Sequence, residues 1–309
     1  MAFSIPDRLV IGTRSSPLAL AQAEETRARL AAASGLAPEA LLLSAMTTTG
    51  DRIQDRALAE AGGKGLFTKE LDIALMEGRI DLAVHSAKDL PTDLPDGLVI
   101  AGFLPREDVR DVFISRRAES LAALPAGAVV GSASLRRQAQ VRRLRPDLVV
   151  TLLRGNVGTR LARIERGDID ATLLALAGLK RLGREGEATA ILDVDSFLPA
   201  VGQGAIALVT RAGDATTIQA LALIAHGETG IALAAERAFL RVLDGSCRTP
   251  IAGHATVDGD GVHFRGLLLS PDGSQAVAVE RRGAVADAAM LGADAGREVV
   301  GRAGPGLLS

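Results

Sequence analysis

Residues 131–160 read GSASLRRQAQVRRLRPDLVVTLLRGNVGTR, and the rhythm of this stretch sets the fold class. The spacing predicts a strand over 128–131, a helix over 134–145, a strand over 148–153 and a helix over 156–166, with Val157, Leu161 and Ile164 on the inner face of the last. Strands alternating with helices point to an α/β protein. Arginine recurs at 136, 137, 142, 143, 145, 154 and 160, against one acid, Asp147. Arg142, Arg143 and Arg145 sit near a helix C-terminus, where cations are favoured, and read as a solvated basic face. Arg136 and Arg137 do not fit that reading. With Ser134 as N-cap they occupy the first turn, where unpaired N–H groups already carry partial positive charge. Two arginines there repel each other unless an anion lies between them, so the pair reads as an anion site. Arg154 ends one strand and Arg160 lies early in the next helix, so in a parallel sheet both reach the same rim.

The rhythm repeats toward the N-terminus. A strand over 8–12 leads through Thr13-Arg14-Ser15-Ser16 to a helix opened by Pro17 and running to about 33, a junction suited to holding an anion. A second strand spans 41–46. Ala61-Gly62-Gly63-Lys64-Gly65 lacks the spacing of a nucleotide-binding loop and reads as a lid before a helix over 67–77. A third strand, 81–84, delivers His85-Ser86-Ala87-Lys88-Asp89 to the carboxyl end of the sheet, where ligands of α/β proteins bind. Asp89 there reads as a functional acid. Extended segments at 98–102 and 111–115 flank Pro105-Arg106-Glu107-Asp108, a hinge into a second lobe, and a strand over 170–174 and a short helix complete that lobe. Residues 197–204 carry the chain back, with a return strand over 205–209. Two lobes joined by two crossovers form a cleft whose walls can rotate.

From about 214 to 243 the pattern is helical, and strands near 250–257, 262–269 and 275–282 and a final helix from about 285 make a small α+β domain. Domain 1 is thus 1–104 with 200–222, domain 2 is 105–199 and domain 3 is 223–309. Cys247 is the only cysteine, which excludes an internal disulfide and a CxxC motif. Gly245, Ser246, Arg248, Thr249 and Pro250 surround it, an electropositive loop that favours thiolate.

Composition bounds the partners. The 309 residues are 48% hydrophobic and 23% charged, with a net charge of −2, so no global basic field draws nucleic acid or a membrane surface. The absence of Trp and Tyr argues against base stacking. No secretory leader, membrane-length apolar run or metal motif is apparent, which leads to the expectation of a cytoplasmic protein; a monomer is expected as well.

In order along the chain, Arg14-Ser15-Ser16-Pro17-Leu18-Ala19, residues 62–67, His85 to Asp89, Ser134-Leu135-Arg136-Arg137, residues 153–160, Val201 to Gly204 and Gly245 to Pro250 resemble porphobilinogen deaminases, also called hydroxymethylbilane synthases. The resemblance implies two lobes like those of type II periplasmic binding proteins plus a small third domain. It implies a dipyrromethane cofactor held as a thioether on Cys247, onto which four porphobilinogen molecules are added with loss of ammonia before hydrolysis releases 1-hydroxymethylbilane. It assigns catalysis to Asp89, cofactor contacts to Lys88, Ser134, Arg136, Arg137 and Arg160, and substrate contacts to Arg14, Ser16, Arg154 and Arg160, with Lys64 and Phe67 in the lid. The chemistry suits the assignment, because each porphobilinogen carries two carboxylates and guanidinium forks bind carboxylates bidentately. A carboxylate beside the pyrrole nitrogens stabilises the azafulvene cation left by ammonia. Ala133, Ser246, Arg248 and Ala87 depart from the family pattern, and Ala133 removes one hydroxyl from the cofactor's surroundings. Three rivals weighed against this reading are a two-lobed, non-enzymatic binding module for small acidic ligands, a cysteine-nucleophile transferase for other acidic substrates, and a nucleic-acid binder. The first predicts a leader or a helix-turn-helix and leaves Cys247 without a task.

Overall fold

The computed structural model describes residues 7–52, 65–243, 249–304 and 307. Internal contacts divide the described chain into two compact units, one of residues 7–52, 65–107 and 204–230, the other of 108–203, 231–243, 249–304 and 307.

In chain order the strands are β1 (Leu9–Arg14), β2 (Leu41–Met46), β3 (Leu82–Ser86) and β4 (Leu98–Phe103), then β5 (Asp111–Ser115), β6 (Val129–Gly131), β7 (Val149–Thr151), β8 (Ala171–Ala175) and β9 (Ala190–Ile191), then β10 (Ile206–Arg211). The first unit's sheet has the order β2-β1-β3-β10-β4, and the second unit's has β7-β6-β8-β5-β9. These are one topology used twice. In each sheet three mutually parallel strands are followed by one running the other way, inserted before the last. Each sheet is therefore mixed, and the parallel arrangement on which the shared rim of Arg154 and Arg160 was conditional holds for β7, β6 and β8. The reversed strands, β5 and β10, are those that follow the passages between units at 107/108 and 203/204, so they enter from the opposite end. The consequence for the site is direct: Asp111, first residue of β5, pairs with Ala175, last residue of β8, at the carboxyl edge of the parallel strands.

The helix α1 (Pro17–Ser34) shows why the local structure follows from sequence. Ser16 has extended backbone and accepts from the Ala19 N–H, Pro17 supplies the first helical φ, and Gly35 at φ 73° closes the end by donating to Ala31 O. Its buried residues Ala19, Gln22, Ala23, Thr26 and Leu30 recur at helical spacing, mostly small, and lie against Leu9, Ile11, Leu82 and Val84 of the sheet. Each large aliphatic side chain so buried contributes roughly 1.5–3 kcal/mol. The second sheet has a cluster on each face, one around Phe113, Val141 and Phe197, the other around Ile114, Leu161 and Leu179.

The stretch expected to be helical from 214 to 243 is two helices, Ala215–Ala222 and Gly227–Val242. His226 makes the break, its Nδ1 taking the Thr229 N–H at 3.3 Å while its own N–H reaches Phe103 O at 2.7 Å. The C-terminal strands β11 (Ile251–Asp258), β12 (Gly261–Leu269) and β13 (Ala276–Ala284) form an antiparallel meander, covered by the helix Ala288–Arg302. Phe239 and Phe264 meet there with ring centroids 5.0 Å apart, and Gly266 leaves room for them, since a Cβ at 266 would lie 2.6 Å from the Phe239 ring. The fold class expected from sequence is the one observed: mixed α/β, two five-stranded sheets and a small C-terminal α+β region.

Candidate active site

Within the first unit, β1 and β3 are parallel neighbours, so Arg14 at the end of one and the single turn Ala87–Asp89 after the other share a sheet edge. The Arg14 guanidinium is held from three sides. Its Nε and Nη2 edge donates to Asp51, its Nη1 lies 3.7 Å from Asp89 Oδ2, and its plane stacks 4.3 Å from the Phe67 ring centroid. Asp51 also accepts from the Thr48 N–H and hydroxyl at 3.2 and 2.8 Å. Burial raises the Asp51 carboxyl, but these donors and the Arg14 charge outweigh it and hold the group below its ordinary range. Asp89 is part-exposed, with a third of its side chain open to solvent. His85, buried two positions before this turn, has its pKa pushed down to about 4 by burial and by the Arg14 charge, and its Nε2 has no hydrogen-bond partner. Ser16 caps α1 beside Arg14, and Lys88 is exposed.

Within the second unit, Ser134 caps the helix Leu135–Leu144 by accepting from the Arg137 N–H at 3.4 Å. Arg136 and Arg137 are only 4% and 5% exposed, so they are no solvated basic face. The anion between them is the chain's own Asp111, fully buried. Asp111 Oδ1 accepts from Arg137 Nη2 at 2.6 Å, Arg137 Nε at 3.0 Å and Gln203 Nε2 at 3.0 Å. Its Oδ2 faces Arg136 Nη1 at 2.8 Å, an ion pair whose N–H is directed instead at Leu198 O, 2.7 Å away. Burial alone would raise the Asp111 carboxyl; the charges of Arg136 and Arg137 reverse the effect and hold it far below the usual range. Arg136 is also 5.7 Å from the Phe197 ring, and its Nε is buried without a partner. Two cations and one anion leave a net positive charge. That balance and the unpaired guanidinium N–H fit a carboxylate of an incoming group. Arg154 and Arg160 follow β7 at the same carboxyl edge, Arg160 Nε donating to Gly155 O at 2.9 Å.

Lys64 and Cys247 lie outside the described residues. Asp111, Gln203 and Asp51 are the residues that the sequence reading missed. Among the described residues no group of three or more His, Cys, Asp or Glu is placed to hold a metal, and no single helix is long and apolar enough to cross a membrane.

One guanidinium beside a part-exposed carboxylate at the carboxyl edge of the first sheet, and two buried guanidiniums around an aspartate at that of the second, mark an α/β protein with cationic groups at the ligand-binding edge of both sheets. Residues 9–219 match the family model "Porphobilinogen deaminase, dipyromethane cofactor binding domain", and residues 231–301 match "Porphobilinogen deaminase, C-terminal domain". The porphobilinogen deaminases of Nitrobacter hamburgensis and Nitrobacter winogradskyi are each 61% identical over 294 residues, 95% of this chain and 93% of theirs. The chain belongs to the porphobilinogen deaminase family: it is a transferase whose first two-thirds form a dipyrromethane-binding domain. Among solved structures, the periplasmic aliphatic sulphonate-binding protein SsuA of Escherichia coli is similar at a TM-score of 0.42 and 15% identity, over 76% of this chain and 70% of that one. A periplasmic domain of Bordetella pertussis BvgS is similar at 0.41 and 18%, over 70% and 86%.

Proposed function

We propose that the chain joins four porphobilinogen molecules head to tail on a dipyrromethane carried by Cys247, loses one ammonia at each addition, and releases 1-hydroxymethylbilane by hydrolysis. When bound, the dipyrromethane would supply the nucleophilic free pyrrole carbon from which the chain of units is started. Arg136 and Arg137, with Ser134, Lys88 and Arg160, hold its carboxylates. Arg14, Ser16, Arg154 and Arg160 take those of the incoming units, and Lys64 and Phe67 belong to the lid. Asp89 stabilises the cation left when ammonia departs and carries protons in deamination and coupling. One observation carries the reading: a fully buried two-arginine, one-aspartate cluster with a guanidinium N–H left unpaired. A neutral, self-satisfied core has no use for that surplus charge.

The domain division 1–104 with 200–222, 105–199 and 223–309 is proposed on the same footing, and three separate sheets support it. The chain is read as a cytoplasmic monomer acting on porphobilinogen, without nucleic acid, membrane or metal.

Intact-mass measurement tests the proposal. The purified chain is expected to carry an adduct of two pyrrole units, and Cys247→Ser is expected at bare mass and inactive. Asp89→Asn should keep the adduct while turnover falls by about 10²–10⁴. A bare wild-type chain that makes bilane at full rate refutes the scheme, and normal turnover by Asp89→Asn removes that residue from it.

A further inference from the structure

The cluster around Asp111 does more than neutralise charge, because one carboxylate oxygen is held by donors while the other, buried and without a hydrogen bond, is left to the ion pair with Arg136. Oδ1 takes three N–H donors, two from Arg137 and one from Gln203, while Oδ2 faces Arg136. Gln203 is itself fixed, its Nε2 also donating to Val109 O at 2.7 Å. Arg137 is tied further by Nη1 to Leu173 O at 3.0 Å, and Arg136 by Leu198 O. Gln140 grips the same peptide, donating to Leu198 O at 3.0 Å and accepting its N–H at 2.9 Å. The outcome is asymmetric. Arg137 has its bidentate Nε–Nη2 edge filled by Asp111. Arg136 presents only Nη1 to the acid, and its Nε is buried with no acceptor among the described residues. A buried guanidinium N–H without an acceptor is costly, and a carboxylate brought up to it is an acceptor that removes the cost.

We propose that Asp111 is a positioning residue for cofactor loading: it clamps Arg137, holds Arg136 by Nη1 so that its Nε N–H is left for one incoming carboxylate, and Gln203 keeps it in that register. This rests on the function proposed above. Without Asp111 the two guanidiniums, 5% and 6% exposed at the side chain, would repel and lose their common orientation. In Asp111→Asn the shape persists, but the charge goes and an NH2 replaces one acceptor, so donor faces donor. Glutamate restores the charge one methylene out of place.

The experiment uses full-length chain produced in cells that make no porphobilinogen, hence with a bare thiol. Porphobilinogen is added, and adduct formation is timed by intact mass, with circular dichroism to confirm folding. Asp111→Asn is expected to load at least tenfold more slowly than wild type, Asp111→Glu to recover part of the rate, and Gln203→Met to fall between, with both ion pairs retained. A residue of merely structural importance would lower the folded fraction and leave the loading rate of folded molecules unchanged. Folded Asp111→Asn loading at the wild-type rate overturns the proposal. If that variant does not fold, wild-type loading by Gln203→Met overturns it equally. A wild-type chain that takes up no adduct overturns the proposed function itself, a result distinct from wild type and variants loading alike.

Discussion

Acidification tests the site from beneath, through His85. Its imidazole is 3% exposed, its Nε2 is unpartnered, and Arg14 stands close enough to oppose a second positive charge. The unfolded chain binds the His85 proton below about pH 6.5, whereas the folded chain resists it until about pH 4. Between those values the unfolded state holds more protons, so stability falls as pH falls, by about 1.4 kcal/mol per pH unit. Over the whole window the loss is about 3 kcal/mol, a large part of the usual margin of roughly 5–15 kcal/mol. Asp72 acts with the opposite sign, because burial raises its carboxyl and lets the folded chain keep a proton as acid is added. Asp51 and Asp111 are held below the ordinary carboxylate range and titrate beneath the window. The comparison is therefore between wild type and His85→Gln, in which these carboxylates are common. Urea midpoints at pH 7, 6, 5 and 4.5 should show the variant gaining on wild type by about 1.4 kcal/mol per unit below 6.5, and an imidazole titration by NMR should place His85 near 4. Parallel stability curves, or a His85 signal titrating at its ordinary value, refute the reasoning.

Asp51 fills the bidentate edge of Arg14, so it competes with any substrate carboxylate for that edge. For a part-exposed pair worth about 1 kcal/mol, Asp51→Asn should lower the KM for porphobilinogen about fivefold in steady-state assays, and a raised KM would show that Asp51 orients Arg14 instead. Gly292 lets the final helix pass the helix Gly227–Val242, for a Cβ there would lie 1.9 Å from Ala235 O. Despite alanine's better helix propensity, Gly292→Ala should cost about 1–3 kcal/mol by overpacking, read as a lowered urea midpoint; an unchanged midpoint refutes it.

Much of this was legible from residues alone because it is local. Ser16, Ser134 and Asn156 each precede a helix and each accepts the N–H three residues on, so capping could be read from adjacent letters. The apolar runs of β1, β2 and β8 gave strands for the same reason. β9, two residues long, has no period to read. Strand direction is a tertiary property, and that is why Asp111 was missed: in an all-parallel sheet the first residue of a strand lies at the amino edge, far from Arg136 and Arg137. Reversal of β5 brings it to them. Arg136 and Arg137 announced by their position in a helix's first turn that an anion was required; which anion depended on topology. Asp51 went unread because its partner is 37 positions away across the sheet edge.

The placement of β10 also orders events during synthesis. The second sheet has all its strands once residue 191 has left the ribosome, but the first lacks its fourth position until residue 211 is made. Until then β3 and β4 have a gap between them where β10 belongs, and chains otherwise tend to fold from the amino end as they emerge. The amino-terminal sheet of this protein is thus begun first and completed second, so ribosome-bound chains halted with the gap unfilled should be the ones most in need of a chaperone.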